Sequence, residues 1–403
     1  MAAATKTISA RPARTARRFK IKRDTVALQQ ADLLLRVRAG DGTSRVELAR
    51  TMNLAPSTVG IYVDHLVTEG FLTEGKGPTR ELGRPPTLLA LNPQGGRFIG
   101  VDFEARNIMA IAVDFSQRPL KRFHDTIGAA EPVESIVRKI EHAIQTVSAG
   151  DDRQLLAIGV GVPGVIDPEK GVALSYKHIK GWENVPLMHR LSHRFGVPVF
   201  VENTVRTMAL AELWFGQGRG LRNFICLGMR SGLGAGIIID GQIYRGADNR
   251  AGEIGDWPCE ATNNHGASKR GSRPAFTRLE DIASLHTLRD RLGAPGQAEA
   301  PLEALLRAAA EGDKVVLGFL DRVAHAFGLV LNQLNCAFNP EKIILAGALA
   351  GFGEHLRLPL ERNLTAFAPP SGAPAIVSSE LGAFNGAIGA AALAVHQWKP
   401  VPP

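Results

Sequence analysis

The stretch PVFVENTVRTMALAELWFG, from Pro198 to Gly216, reads as a short apolar strand, a turn at Glu202-Asn203-Thr204 and then a helix. An acid and an amide at a strand end can hold the hydroxyls of a ligand, because a carboxylate accepts hydrogen bonds and an amide both accepts and donates them. The third residue is Thr204, where an acid–base catalyst would place a carboxylate. A threonine hydroxyl is not a base near neutral pH. The pattern therefore poses a site that binds its ligand without turning it over. A second stretch, SGLGAG from Ser231 to Gly236, has glycines that let a backbone approach phosphate, and reads equally as a tight hairpin turn. The three cysteines, Cys226, Cys259 and Cys336, are widely separated without metal-knuckle spacing, which fits a reducing cytosol.

The elements that carry these residues form two similar halves. One opens with a strand over Phe98–Phe103, a turn, and a strand over Ile108–Asp114. The other opens with a strand over Phe224–Leu227, a glycine-rich turn, and a strand over Ala235–Ile239. Each continues into alternating strands and helices, including a long helical pattern from Asp313 to Phe338. Two repeats of this kind suggest a two-lobed α/β clamp with a ligand between the lobes; two unrelated α/β domains are the alternative. A length of 403 residues suits two or three domains, and the 45% hydrophobic fraction is ample for their cores. No apolar run reaches the ~18 to 20 residues of a membrane span, and the first residues lack the apolar core of a secretory signal.

Charge divides the chain differently. The first 98 residues hold 16 basic and 8 acidic side chains, while the remainder holds 31 of each. A basic module on a neutral body points to a polyanion partner. Residues 1–23 are basic, without an acid or a periodic apolar face, and read as disordered on their own. They fit a DNA-contacting arm, an organelle presequence or a solubilising tail, and the helical pattern next to them argues against the presequence. A helix is predicted over Asp24–Gly40. A second begins at Ser44-x-x-Glu47, a capping-box spacing, with Val46, Leu48, Ala49 and Met52 facing inward. A third follows from Pro56, with Val59, Val63 and Leu66 inward and Ser57, Thr58, Ile61 and Tyr62 outward. Its cap position is Ala55, a weak N-cap. Leu72 and Leu88–Leu91 supply two strands around a basic tip with Arg84. This is a helix-turn-helix with a wing. Its third helix would enter the major groove and Arg84 would reach a minor groove; a small structural bundle is the alternative.

The chain resembles the transcriptional regulators of the ROK family (repressors, open reading frames and sugar kinases). The matching segments are SRVELARTMNLAPSTVGIYVDHLVTEGFL, GRPPTLLALNPQGGRFIGVDF, GVPGVIDPEKGV…GWENVPL, VPVFVENTVRTMALAELWFG, SGLGAGIIIDGQIYRGADNRAGEIG and LGAFNGAIGAAALA, in order over about residues 25–395. The resemblance implies an α/β chain: an N-terminal winged helix-turn-helix followed by a two-lobed actin-like (ribonuclease H-like) sugar-kinase fold. In kinase members an Asp after the Glu-Asn pair is the general base; here that position is Thr204. Their first phosphate loop reads like Asp-x-Gly-Gly-Thr; here it is DFEARN, where Asp102 persists and Glu104, Ala105 and Arg106 replace the rest. Members typically carry a zinc site of one His and three Cys; here Asp256 stands at the His, and Gly271, Arg273 and Arg278 stand at cysteine positions. Cys259 and His265 alone do not make a four-ligand site.

What the resemblance retains is a sugar-binding set: Asn203, Glu253 and Glu280, with His178 and Asp256 at positions that depart from the family pattern. Lys177 and Lys180 flank that set and are compatible with a phosphorylated or acidic sugar. The expected boundaries are a basic arm over 1–23, the winged helix-turn-helix over 24–92, a first lobe over 93–220 and a second over 221–403 whose last helix returns to the first. The expected function is a cytoplasmic DNA-binding regulator, a repressor of carbohydrate genes, with a duplex operator and a carbohydrate effector as partners. A homodimer or homotetramer is expected, with no membrane, catalytic residue, metal or cofactor. A sugar kinase with an accessory DNA module is the alternative, and a constitutive DNA-binding protein whose body only oligomerises is a third reading.

Overall fold

The computed structural model describes residues 14–40, 44–76, 87–128, 130–229, 232–260, 276–284, 287, 302–370 and 372–401. It divides into two compact units. One comprises Met1–Gly96 with His396–Pro403, and the other is Arg97–Val395.

The first unit holds α1 (Arg14–Ala39), α2 (Arg45–Thr51), α3 (Pro56–Thr68) and an antiparallel hairpin of β1 (Leu72–Lys76) and β2 (Thr87–Leu91). Ser44 caps α2 by accepting the Glu47 backbone N–H at 3.3 Å. Ala55 offers α3 no side-chain cap, and Pro56 begins it. Leu48, Val59, Val63 and Leu66 are fully buried, so the inner faces of both helices meet a common core. Arg45 donates to Asp64 on α3 at 2.6 Å and to Glu74 on β1 at 2.9 Å, tying the start of α2 to both.

Four expectations need correction here. The basic segment is helical from Arg14. Arg and Ala are strong helix formers, and they extend a helix whose later turns are already held by packing. Val46 points to solvent, 79% exposed. It lies about 200° round the helix from inward-facing Leu48. Tyr62 is not on the outer face of α3: it is buried, and its hydroxyl donates to Gln29 Oε1 of α1 at 2.6 Å. Positions 59, 62, 63 and 66 fall on one helical stripe, so the face that buries Val59 and Val63 also carries Tyr62 inward. Finally, the chain from His396 onward belongs to this unit. Trp398 packs edge-on against Phe71, with ring centroids 5.1 Å apart.

The second unit contains two five-stranded sheets of the same plan. The first lobe has β3 (Arg97–Phe103), β4 (Asn107–Asp114), β5 (Pro119–Thr126), α4 (Val133–Ser148) and β6 (Leu155–Val162). A small sheet of β7 (Val165–Asp167), β8 (Val172–Ser175) and β9 (Glu183–Val185) comes next, then α5 (Leu187–Phe195), β10 (Val199–Asn203) and α6 (Thr204–Phe215). Its main sheet has the order β10-β6-β3-β4-β5. The second lobe has β11 (Phe224–Met229), β12 (Leu233–Ile239), β13 (Gln242–Ile243), β14 (Pro258–Glu260), β15 (Phe276–Arg278), α7 (Leu279–Ala283), α8 (Leu302–Ala310) and α9 (Lys314–Phe338). It ends with β16 (Lys342–Gly347), α10 (Glu354–Phe367), β17 (Ala375–Ser378) and α11 (Asn385–Gln397). Its main sheet has the order β13-β12-β11-β16-β17.

In each sheet the opening strands are antiparallel and two further strands add in parallel. The strand–turn–strand pairs are therefore equivalent halves of a repeat. Strands β3, β6 and β11 are buried along nearly their whole length, as strands covered on both faces must be. α11 lies so close to the first sheet that a Cβ on Gly100 or Gly159 would overlap its backbone at Ala387 and Ala390. α9 is long and apolar enough to cross a membrane by length and composition, although Asp321 and Arg322 interrupt its apolar run. It is the central helix of the second core instead. Asp313 caps it, and Phe319, Val323, Phe327 and Leu331 are buried in that core.

Candidate functional site

A cleft of about 250 Å³ opens within the second unit. Residues from both lobes line it: Asn203 and Thr204 from the β10–α6 junction, Glu104 from the β3–β4 turn, His178 from the first lobe, and Glu253, Asp256 and Glu280 from the second. All five residues expected to hold a sugar thus face one cavity.

Each is held in its own way. Asn203 ends β10 and caps α6, its Oδ1 accepting the backbone N–H of Val205 at 2.9 Å and of Arg206 at 3.4 Å. Its Nδ2 donates to Gly164 O at 2.9 Å, which leaves one amide hydrogen for a ligand. Thr204 begins α6, buried, and its hydroxyl donates to Phe103 O at 3.4 Å. Glu253 follows Gly252, whose φ of +89° and bond to Ala235 N at 2.8 Å bring the segment against β12. Burial raises the Glu253 carboxyl above its usual pKa, against the pull of Arg206. Glu280 lies 3.1 Å from His178 Nε2 and 2.9 Å from Lys177 Nζ. Burial opposes its ionisation, but hydrogen bonds from His178 and Lys177 together outweigh it and leave the carboxyl below its usual range. An ionised Glu280 only accepts, so His178 Nε2 carries the hydrogen. Asp256 is exposed and pairs with Arg278 at 3.1 Å.

Behind the cleft lies an arrangement that the sequence pattern did not lead us to expect. Glu202 is fully buried and takes Arg206 Nε on one oxygen and Arg245 Nε on the other, both at 2.7 Å. Arg206 also donates to Asn249 O at 3.1 Å. The strand end that carries Asn203 is thereby tied to the second-lobe segment leading to Glu253. The i,i+4 spacing of Glu202 and Arg206 on a strand–helix junction is a visible signal in the sequence; Arg245, 43 residues away, has none.

On α3, Ser57 and Ile61 are exposed and Thr58 partly so. Arg84 lies outside the described residues, as do His265, Gly271, Arg273 and Ser231. Among the described residues, no three His, Cys, Asp or Glu side chains gather as a metal ligand set. Cys259 is buried, and burial raises its thiol pKa.

Residues 98–397 match the ROK family. The chain belongs to the ROK family. Among relatives of known function, the xylose repressor of Caldicellulosiruptor bescii is 31% identical over 323 residues, covering 77% of this chain and 80% of that protein. The glucokinase of Thermotoga maritima is 30% identical over 315 residues, covering 74% of this chain and 96% of the enzyme. Among solved structures, a ROK family transcriptional regulator described as a homologue of the E. coli MLC protein superposes with a TM-score of 0.74 at 24% identity. It covers 92% of this chain and 96% of that one, and shares the fold across both units. The body has the two-lobed actin-like fold of ROK regulators and sugar kinases, and it follows in the chain a unit of three helices and a hairpin that is consistent with a winged helix.

Proposed function

We propose that this ROK protein is a sugar-responsive transcriptional repressor whose kinase-like cleft senses its ligand without phosphorylating it. One observation carries the reading. The residue at the head of α6, beside Asn203 in the cleft, is Thr204, whose hydroxyl donates its proton to Phe103 O. A threonine hydroxyl can still accept a hydrogen bond, but near neutral pH it is too weak a base to take the proton of a sugar hydroxyl, and phosphoryl transfer needs a base that can. The adjoining turn presents Glu104 to the same cleft where a kinase would cradle phosphates. The repressor relative supports the regulatory half of the reading, and the glucokinase relative keeps sugar phosphorylation as the alternative.

In this reading Ser57, Thr58 and Ile61 meet base edges, and the basic N-terminal segment and Arg84 meet phosphates and the minor groove. Helix-turn-helix geometry favours a dimer on a near-palindrome. Asn203, Glu253, Glu280, His178 and Asp256 hold the sugar. Sugar binding then shifts operator affinity by linkage.

The test uses the full chain and the DNA upstream of its own gene. Fluorescence anisotropy should show specific binding that a sugar shifts, and the same sugar should raise the melting temperature. ATP turnover with that sugar should stay at background. Robust phosphorylation would return the protein to the kinases. Specific DNA binding that no sugar alters would make the body a scaffold.

A further inference from the structure

Each helix of the first unit exposes one large apolar side chain among the described residues: Leu28 on α1, Val46 on α2 and, 62% exposed, Ile61 on α3. Only Ile61 lies on the helix that helix-turn-helix geometry carries into the major groove, so its use depends on the DNA-reading proposed above. Ser57, Ile61, Asp64 and Thr68 form one exposed stripe along α3. The helix carries no Arg, Lys, Asn or Gln, the side chains that take guanine or adenine by paired hydrogen bonds. Its acid, Asp64, is held by Arg45 at 2.6 Å, and its histidine, His65, faces Gln30 at 3.0 Å. Gly60 borders the stripe, three residues after Ser57 and four before Asp64. Glycine weakens a helix interior relative to alanine. A Cβ at Gly60 would meet nothing closer than Arg45 Nη1 at 3.9 Å, an ordinary contact, and the backbone there is helical. The packing among the described residues therefore gives no reason for a glycine at this position.

We propose that α3 reads a thymine through its 5-methyl group, with Ile61 as the contacting residue and Gly60 as the clearance that lets the helix sit deep enough in the groove. Thymine is the base that presents an apolar group in the major groove. Isoleucine is short and stiff at χ1, so it reaches the groove floor only where the helix backbone comes close. The bare backbone at Gly60 permits that approach. A single apolar side chain in a stripe of Ser57, Asp64 and Thr68 matches one methyl group better than it matches an apolar protein face. The net +8 of the first 98 residues supplies the attraction that brings a duplex to this surface.

Duplexes enriched by the full chain from a random pool supply the site for the test. Each thymine is then replaced singly by deoxyuridine, which removes only the methyl group, and binding is read by fluorescence anisotropy. At one thymine of each half-site the replacement should weaken wild type about fourfold, the worth of one buried methyl. Ile61→Ala should bind the unmodified duplex at least that much more weakly and no longer distinguish thymine from deoxyuridine there. Gly60→Ala should melt no lower than wild type, yet bind the site at least about tenfold more weakly, as an added carbon in a close contact requires. If every thymine tolerates deoxyuridine, the proposal is overturned and the DNA-reading stands. A methyl response that survives in Ile61→Ala would assign the methyl to another residue and leave Ile61 to a protein partner. Gly60→Ala that binds as wild type does, or that melts lower, would overturn the clearance. If the pool yields no preferred sequence, the DNA-reading falls and this proposal with it.

Discussion

Glu253 is held half-buried at the cleft with its carboxyl pKa raised, mainly by loss of water. A carboxyl whose folded pKa is raised favours the fold most below its unfolded value, and that contribution is lost as pH rises through the folded value. At neutral pH the residue therefore costs stability, as a group kept for binding often does. Glu253→Gln, neutral at every pH, should melt higher than wild type at pH 7.5. The difference should shrink towards zero as pH falls to the ordinary carboxylate range, and the sugar response should weaken at all pH values. Melting curves from pH 4.5 to 7.5 would show it; a variant that melts lower at pH 7.5 would contradict it. Asn203 has the opposite character. It caps α6 and bonds Gly164 O, so removing it mixes a lost cap of about 1 kcal/mol with any lost ligand contact. Glu253 is the cleaner probe of the cleft.

At the scale of elements, α3 owes its seat to Tyr62 as much as to its aliphatic face. Tyr62→Phe should cost the first unit about 1 kcal/mol by losing the bond to Gln29. Operator affinity should then fall evenly across base substitutions. A changed preference at one base pair, read by competition with mutated operators, would put Tyr62 back in the groove. The same helix shows what a sequence can and cannot disclose. Local period placed Val59, Val63 and Leu66 inward, and the missing Ala55 cap and the Ser44 cap were readable because each depends on neighbours within four residues. Tyr62 was misplaced because its hydroxyl suggested a surface contact, although its spacing matched the buried stripe. The repeat of the two lobes was legible as two strand–turn–strand openings, since buried strands read as apolar runs bounded by glycine. The cleft was legible at Asn203 and Thr204 from residue type at a strand end. Glu253, Glu280, His178 and Asp256 came from family resemblance alone. Arg245 was not legible at all, because its pairing with Glu202 exists only once the lobes have folded together.

For the whole molecule, the charge imbalance is the dominant feature. All of the net +8 lies within the first 98 residues. Binding of the full chain to DNA should therefore release counterions, and affinity should drop at least about 100-fold between 50 and 200 mM salt. Anisotropy titrations across that range are the check, and a flat profile would remove the electrostatic basis for a DNA partner. An isolated fragment of residues 1–98 is a poor substitute for this measurement, because it lacks Trp398 against Phe71.

The position of that tryptophan also fixes an order of events during synthesis. Segments 14–91 leave the ribosome first, yet Phe71 must wait for roughly three hundred further residues before its ring partner is made. In the interval the nascent reader has an open edge while the body is still being translated. A ribosome that stalls or stops before residue 396 would release a chain with its cleft segments made and its reader unfinished. In the cell, operator occupancy would then be weighted towards molecules whose sensing half already exists.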